Sequence, residues 1–301
     1  MHIYVSSDDG HNSIKTCYPD NNGEVKTFIT ENNTATKNLD TVKTENQDYF
    51  CSTENLAIHH YNLYKSGLEN REIVLITTLP FEKFYVKGQP NNDLIYKKKQ
   101  NLLRTDITPL HNRIIENFVM ANGVSGYFDL LYDNNSYINE EISTINKEKL
   151  ITIVDCGYNA TDIITFDNGK IDFQRSGSFD RGSVHLKNRI KDTIISSKSH
   201  GFTDIPNNIL DKIMHEKIIG AGNFTLEVDK CKKEIAIEIR NYITRKIGSM
   251  SEVGIIYFIG GTSILLKDQL MEFYNNKTSY FPDNALYSNA TGMLKYLLRA
   301  K

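Results

Sequence analysis

Two stretches of this sequence repeat one plan. Residues 1–30, MHIYVSSDDGHNSIKTCYPDNNGEVKTFIT, and residues 151–174, ITIVDCGYNATDIITFDNGKIDFQ, each read as apolar run, acidic glycine turn, apolar run, Asn-Gly turn and third strand. Asn22-Gly23 and Asn168-Gly169 supply the positive-φ residues of a tight hairpin, so the strands on either side are expected to pair antiparallel. Each half of the chain thus opens with a strand, an Asp-x-Gly turn and a hairpin. At 301 residues there is material for two lobes, each with its own core.

The acidic turns raise a chemical question. Asp155 ends a strand that reads as buried and is followed two residues later by Gly157. A carboxylate in that place can face a hydrated metal while backbone N–H groups approach an anion. An isolated Asp-x-Gly is more often a polar hairpin turn. Its recurrence at Asp8-Asp9-Gly10 favours a phosphate site.

Bulk properties narrow the alternatives. The 35 basic and 37 acidic residues leave a formal charge of -2, so no overall electrostatic footprint for nucleic acid or an anionic membrane is expected. Cys17, Cys51, Cys156 and Cys231 lack zinc-ligand spacing and read as reduced core thiols of a cytoplasmic protein. No secretory leader and no run of about 18 apolar residues occurs, so a soluble protein without direct membrane contact is expected.

Further along, residues 53–70 predict a helix with Leu56, His60 and Leu63 on one face and Gly67 as its stop. His59 and His60 are adjacent and so point to different faces. REIVLITTLP predicts a strand buried on both faces and ended by Pro80. The run Lys97 to Lys99 reads as the solvated face of a helix. LHNRIIENFVMANGVSGYFDLLYD reads as a strand, a loop over Asn122 to Gly126 and a short helix. The stretch from Glu31 to Ser52 reads as strand and loop. In the second half, Val184, Ile190 and Ile194 mark an amphipathic helix, and Ile235, Ile239 and Ile243 mark the longest one. VGIIYFIGGTSILL predicts a strand, a Gly260-Gly261 turn and a helix capped by Thr262 or Ser263.

Two Asp-x-Gly hairpins followed by a late strand-Gly-Gly-helix resemble the layout of the actin-like ATPases, which share their fold with sugar kinases and chaperone ATPases. Within that superfamily the chain is most similar to plasmid-segregation actins of the ParM (StbA) type. The residues that carry the likeness are DDGHNSIK at 8–15, HHYNLYKSGL at 59–68, TLPFEKFY at 78–85, IYKKKQN at 95–101, VDCGYNATD at 154–162, FIGGTS at 258–263 and NATGM at 289–293. The resemblance implies an α/β actin-like fold of two related lobes, each a mixed sheet flanked by helices, with nucleotide in the interlobe cleft. It implies domain I over 1–149, domain II over 150–287, and a C-terminal helix, 288–301, returning to domain I.

It also implies ATP or GTP as the bound nucleotide and Mg²⁺ as its metal, held through water by Asp8 and Asp155. Gly10, His11, Asn12 and Lys15 in the first turn, and Gly157, Tyr158 and Asn159 in the second, fall at the phosphate-contacting positions. Gly260, Gly261 and Thr262 match the adenosine motif, with Lys233 and Glu234 flanking base and ribose. Near relatives read Asp-x-Gly-Gly-Thr-Thr where this chain has Tyr158, Asn159 and Ala160. Where they carry Pro-Glu to orient the attacking water, this chain has Ala121 and Asn122, and an amide is a poor proton acceptor. The function implied is a filament-forming ATPase or GTPase, its subunits joined head to tail, segregating plasmid DNA through a DNA-bound adaptor. The alternatives are a scaffold with a degenerate, very slow site, or a small-molecule kinase of the same superfold. A kinase needs a catalytic base in a substrate pocket of the first lobe, and no convincing candidate stands there.

Overall fold

The computed structural model describes residues 2–32, 48–105, 112–197, 201–274 and 278–300. They form two compact units, Met1–Lys147 with Leu286–Lys301, and Glu148–Ala285. The first unit is built from β1 (Ile3–Asp9), β2 (Ser13–Pro19), β3 (Val25–Glu31), α1 (Thr53–Lys65), β4 (Glu72–Leu79), α2 (Asn92–Leu102), β5 (Arg113–Ala121), α3 (Val124–Leu131) and α4 (Glu140–Glu148). The second holds β6 (Leu150–Cys156), β7 (Thr161–Asp167), β8 (Lys170–Phe179), α5 (Ser183–Ser197), α6 (Asn207–Glu216), α7 (Thr225–Ile247), β9 (Val253–Ile259), α8 (Gly261–Leu265) and β10 (Ser279–Tyr280). Helix α9 (Ser288–Arg299) returns to the first unit.

The two sheets have the same order and sense. In the first it is β3-β2-β1-β4-β5, in the second β8-β7-β6-β9-β10. Each has an antiparallel hairpin on one side of its central strand and parallel strands on the other. This is the actin-like architecture of two mixed sheets flanked by helices. The second Asn-Gly turn carries φ of 47° at Asn168 and 76° at Gly169, the paired left-handed residues of a type I′ hairpin. At the first, only Gly23 is left-handed, and the Asp20 carboxylate closes the loop by accepting from the N–H groups of Asn22 and Glu24.

Helices cover the first sheet on both faces, which is why REIVLITTLP is apolar throughout. Ile73 and Leu75 pack with Val5, Leu56 and Leu102, while Val74 and Ile76 point the other way onto Met293 and Leu297 of α9. On α9, Gly292 permits close approach to α3: a Cβ there would lie 2.7 Å from Asp129 N and would strike Ser125 O. Lys295, buried on the same helix, donates to Asp129 Oδ1 at 2.8 Å and to the Asp129 and Tyr132 carbonyls. In the second unit Ile235, Ile239 and Ile243 line the core face of α7, as their fourfold spacing predicts.

Several local expectations are corrected. The segment after β5 is helical from Val124, with Gly123 at its N-cap, so Ser125 and Gly126 lie in a helix and not a loop. Helix α4 was not read from the sequence; its inward face is little more than Ile142 and Asn146. In α5 the buried positions are Leu186, Ile190 and Ile194, whereas Val184 sits at the first turn and is half-buried. Thr262 and Ser263 do not cap α8; Gly260 occupies the N-cap, and both hydroxyls bond carbonyls, Thr262 to Gly157 O and Ser263 to Gly260 O. Residues 33–47, the bulk of the polar stretch after the first hairpin, lie outside the described residues. Among the described residues no helix is long and apolar enough to cross a membrane.

Candidate functional site

In the first unit, β1 ends in Asp8 and Asp9, and Gly10 makes the turn. A Cβ at Gly10 would lie 2.8 Å from Lys15 Nζ and 2.9 Å from Ser13 O, so only glycine fits without a shift. The β1–β2 register sets Asp8 opposite Lys15, and Lys15 Nζ lies 3.5 Å from Asp8 Oδ2. Asp8 Oδ1 accepts from the Thr78 hydroxyl at 3.2 Å. Asn32 gathers the turn's carbonyls: its Nδ2 donates to Gly10 O and His11 O, each at 3.0 Å, and its N–H to Asn12 O. The acceptor groups that would repel an anion at this turn are thereby taken up. His11 and Asn12 themselves are exposed.

Asp9 points into the protein. Its Oδ2 receives Lys98 Nζ at 2.6 Å and Asn55 Nδ2 at 2.8 Å, and lies 3.1 Å from His59 Nε2. Burial pushes its carboxyl up, but Lys98 and His59 more than offset that and hold it far below the usual carboxylate range. Lys98 therefore does not belong to a solvated face: its side chain is 0% exposed and its ammonium lies 5.1 Å from the Phe50 ring centre. It shares a helix face with the buried Asn101 and Leu102, three and four residues on, while Lys97 pairs with Asp93 in solvent.

In the second unit the register sets Asp162, not a lysine, opposite Asp155. The second turn therefore gathers negative charge where the first supplies its own cation. Gly157 closes the turn by donating to Ala160 O at 2.9 Å. Its carbonyl accepts from the Thr262 hydroxyl at 2.7 Å and from Ser183 N, and the Tyr158 carbonyl accepts from Val184 N at 3.0 Å. Burial, with the Asp155 charge alongside, pushes the Cys156 thiol up, so it stays neutral between the two turn residues.

The Gly-Gly motif is physically part of this turn. Gly260 has φ 83° and ψ 159°, and a Cβ there would lie 2.6 Å from Asp155 Oδ1 and strike Cys156 O. The Asp155 carboxylate thus rests on the Gly260 backbone. Gly261 opens α8 beside it. Tyr158 is exposed and Asn159 half-buried. On α7, Lys233 pairs with Glu272 at 3.5 Å and Glu234 with Arg189 at 3.6 Å, so neither is joined to the turn residues by these bonds.

Asn122 follows β5 in the first unit. Its N–H donates to Leu79 O at 2.9 Å, and its buried side-chain Oδ1 has no hydrogen-bond partner among the described residues. The next N–H, of Gly123, is taken by Asn289 Oδ1 at 3.0 Å, which also accepts from the Ser125 hydroxyl at 2.7 Å. Asn32, Thr78, Lys98 and Asn289 were all missed as site-building residues. The last three fall inside stretches that carried the family resemblance, which was the available signal.

Two equally ordered sheets, each with its central strand ending in an Asp-x-Gly turn, define the actin-like fold. Residues 34–125 match the family model described as plasmid segregation protein ParM, N-terminal, and residues 153–272 match archaeal actin homologue MreB-like, C-terminal. The chain thus has the actin-like fold, and it is similar to ParM-type proteins over 34–125 and to MreB-like archaeal actins over 153–272. Among curated protein sequences none matches. Solved structures with the same fold include a ParM from a 15-stranded filament of Clostridium botulinum, with TM-score 0.72, 18% identity, and 99% of each chain covered. An archaeal actin homologue in complex with ADP gives TM-score 0.73 at 16% identity, again over 99% of each chain. Bacillus thuringiensis ParM with ATP gives TM-score 0.62 at 13% identity over 100% of each.

Proposed function

We propose that this chain binds ATP or GTP with Mg²⁺, polymerises head to tail in the nucleotide-bound state, and hydrolyses the nucleotide slowly. The observation that carries the reading is the seating of the Asp155 carboxylate on Gly260, which merges the second acidic turn and the Gly-Gly turn into one site. In this reading Asp8 and Asp155 hold the water shell of the metal. The donor set suits such an ion: with Asp9 turned inward onto Lys98, the first turn presents a single carboxylate, Asp8, and few carboxylates suit an ion that keeps several waters. When bound, the metal neutralises charge on the β- and γ-phosphates. Lys15 and the backbone of Gly10, His11 and Asn12 contact phosphate from the first turn. Gly157, Tyr158 and Asn159 do so from the second, and Gly260, Gly261, Thr262, Lys233 and Glu234 receive the nucleoside.

Asn122 is the residue that positions the attacking water. Its carboxamide oxygen, buried and without a hydrogen-bond partner among the described residues, would have to open to the nucleotide to accept from that water, and an amide cannot take up a proton at neutral pH, which makes hydrolysis slow. That substitution keeps a nucleotide-stabilised scaffold as the second reading. A head-to-tail contact is heterologous and need not close, so it yields filaments. With a net charge of -2, attachment to plasmid DNA in the cytoplasm runs through a DNA-bound adaptor and not through direct contact.

The test follows light scattering and phosphate release together on the purified protein with Mg²⁺ and ATP, GTP or a non-hydrolysable analogue. Scattering that rises with nucleotide and decays as phosphate appears supports the dynamic filament, whereas scattering without phosphate identifies the scaffold. An Asp155→Ala variant with wild-type turnover would sink the assigned roles.

A further inference from the structure

The first acidic turn is held by more than its own hairpin. Thr78, buried in β4, uses one hydroxyl twice: Oγ1 accepts from Asp9 N–H at 2.9 Å and donates to Asp8 Oδ1 at 3.2 Å. The parallel β1–β4 register, with Ser7 opposite Thr77, brings Thr78 to the start of the turn. Successive side chains of a strand project to opposite faces. Asp9 is thus sunk among α1 and α2, bonded by Lys98, Asn55 and His59, while Asp8 projects the other way with Thr78 on one oxygen and Lys15 near the other.

A carboxylate at a strand end can rotate about its side-chain bonds. One directed O–H···O bond, made by a hydroxyl that also grips the adjacent main chain, removes that freedom. We propose that Thr78 is a positioning residue for Asp8, with the buried Asp9, Lys98 and His59 as its anchor. Together they aim the Asp8 carboxylate at the hydrated divalent metal of a nucleoside triphosphate. The inference rests on the functional reading above and deepens it: Thr78 touches neither metal nor nucleotide and acts through Asp8.

The experiment compares wild type with Thr78→Val, which keeps the shape and deletes the hydroxyl, and Thr78→Ser, which restores it. Phosphate release is measured while Mg²⁺ is titrated at saturating ATP or GTP, and affinity for the metal-free nucleotide is measured in chelator. Residues that orient a metal's ligands typically change metal affinity or activity about 10–100-fold when altered. Thr78→Val is expected to raise the half-saturating Mg²⁺ concentration at least about tenfold with metal-free affinity unchanged, and Thr78→Ser to recover most of the loss. A Thr78→Val protein with wild-type Mg²⁺ dependence overturns the proposal, as does one that loses metal-free and metal-dependent binding alike. Where circular dichroism shows that Thr78→Val does not fold, the double variant Asp9→Asn with Lys98→Gln is read by the same titration against the same criteria. Failure of the functional reading shows in the wild type alone, as absence of nucleotide binding and phosphate release, and takes this inference with it. An active wild type beside an unaffected Thr78→Val removes only the positioning role.

Discussion

Gly260→Ala probes the contact on which the second turn is built. At φ 83° and ψ 159° the residue occupies a region open essentially to glycine alone, and forcing alanine into it costs on the order of 1–3 kcal/mol. The added Cβ would lie 2.6 Å from Asp155 Oδ1 and strike Cys156 O, both at the end of the central strand β6, where relief requires moving packed backbone. Such overpacking typically costs about 1–3 kcal/mol more. The sum, roughly 2–6 kcal/mol, corresponds to about 4–24 °C in Tm at the roughly 2–4 °C per kcal/mol expected of domains of about 150–250 residues, the size of each unit or a little larger. The control is Gly220→Ala, at φ 58° with open space around it, which pays only backbone strain of about 1–2 kcal/mol. Thermal melts followed by circular dichroism, with urea midpoints at neutral pH, read both variants against wild type. The reasoning is refuted if Gly260→Ala loses no more stability than Gly220→Ala.

Other consequences are as open to measurement. Lys98 and His59 outweigh burial and hold the folded Asp9 carboxyl below its unfolded value, so its contribution is full above the usual carboxylate pKa near 3.8 and is lost as pH falls below it. Urea midpoints measured from pH 6 down to pH 3 are expected to fall more steeply for wild type than for Asp9→Asn. Lys98→Met, which strips the buried Asp9 of its cation, is expected to destabilise by about 3–5 kcal/mol, and adding Asp9→Asn should recover part of that loss. Gly292→Ala places a methyl against Ser125 O, so α9 should loosen from α3 and be clipped first in limited proteolysis. Asn122→Glu supplies a proton acceptor where the amide stands, and should raise phosphate release at least about tenfold without tightening nucleotide binding.

The large-scale plan was legible because its punctuation carries its own backbone geometry. Asn168-Gly169 takes up the left-handed φ that its residue types favour, and the periodic isoleucines of α7 declare their buried face without outside help. The repetition of the acidic turns in two halves predicted two sheets of one design. What escaped notice depends on partners distant in sequence. Lys98 looks like Lys97 and Lys99 until a carboxylate 89 residues away is folded against it. Thr78 is one of several β-branched residues in an apolar strand, and only the β1–β4 register gives its hydroxyl a task. Asn289 holds Gly123 N–H and the Ser125 hydroxyl at the start of α3 from well over a hundred residues away, and no local pattern marks it. Helix α4 is only nine residues long, and its apolar face is two isoleucines, Ile142 and Ile145, too few to mark a helix among so many polar residues.

The return of α9 to the first unit sets an order of events during synthesis. Its Met293 and Leu297 cover Val74 and Ile76, and the Ala290 carbonyl accepts from the hydroxyl of Ser6 on β1. Every strand of the second unit, by contrast, lies between Leu150 and Tyr280. On the ribosome the later unit can therefore close first, while the earlier one waits with an apolar sheet face bare for the roughly 140 intervening residues. At ~5–20 residues per second that is on the order of 10–30 s, a window in which the nascent first sheet is a natural client for chaperones.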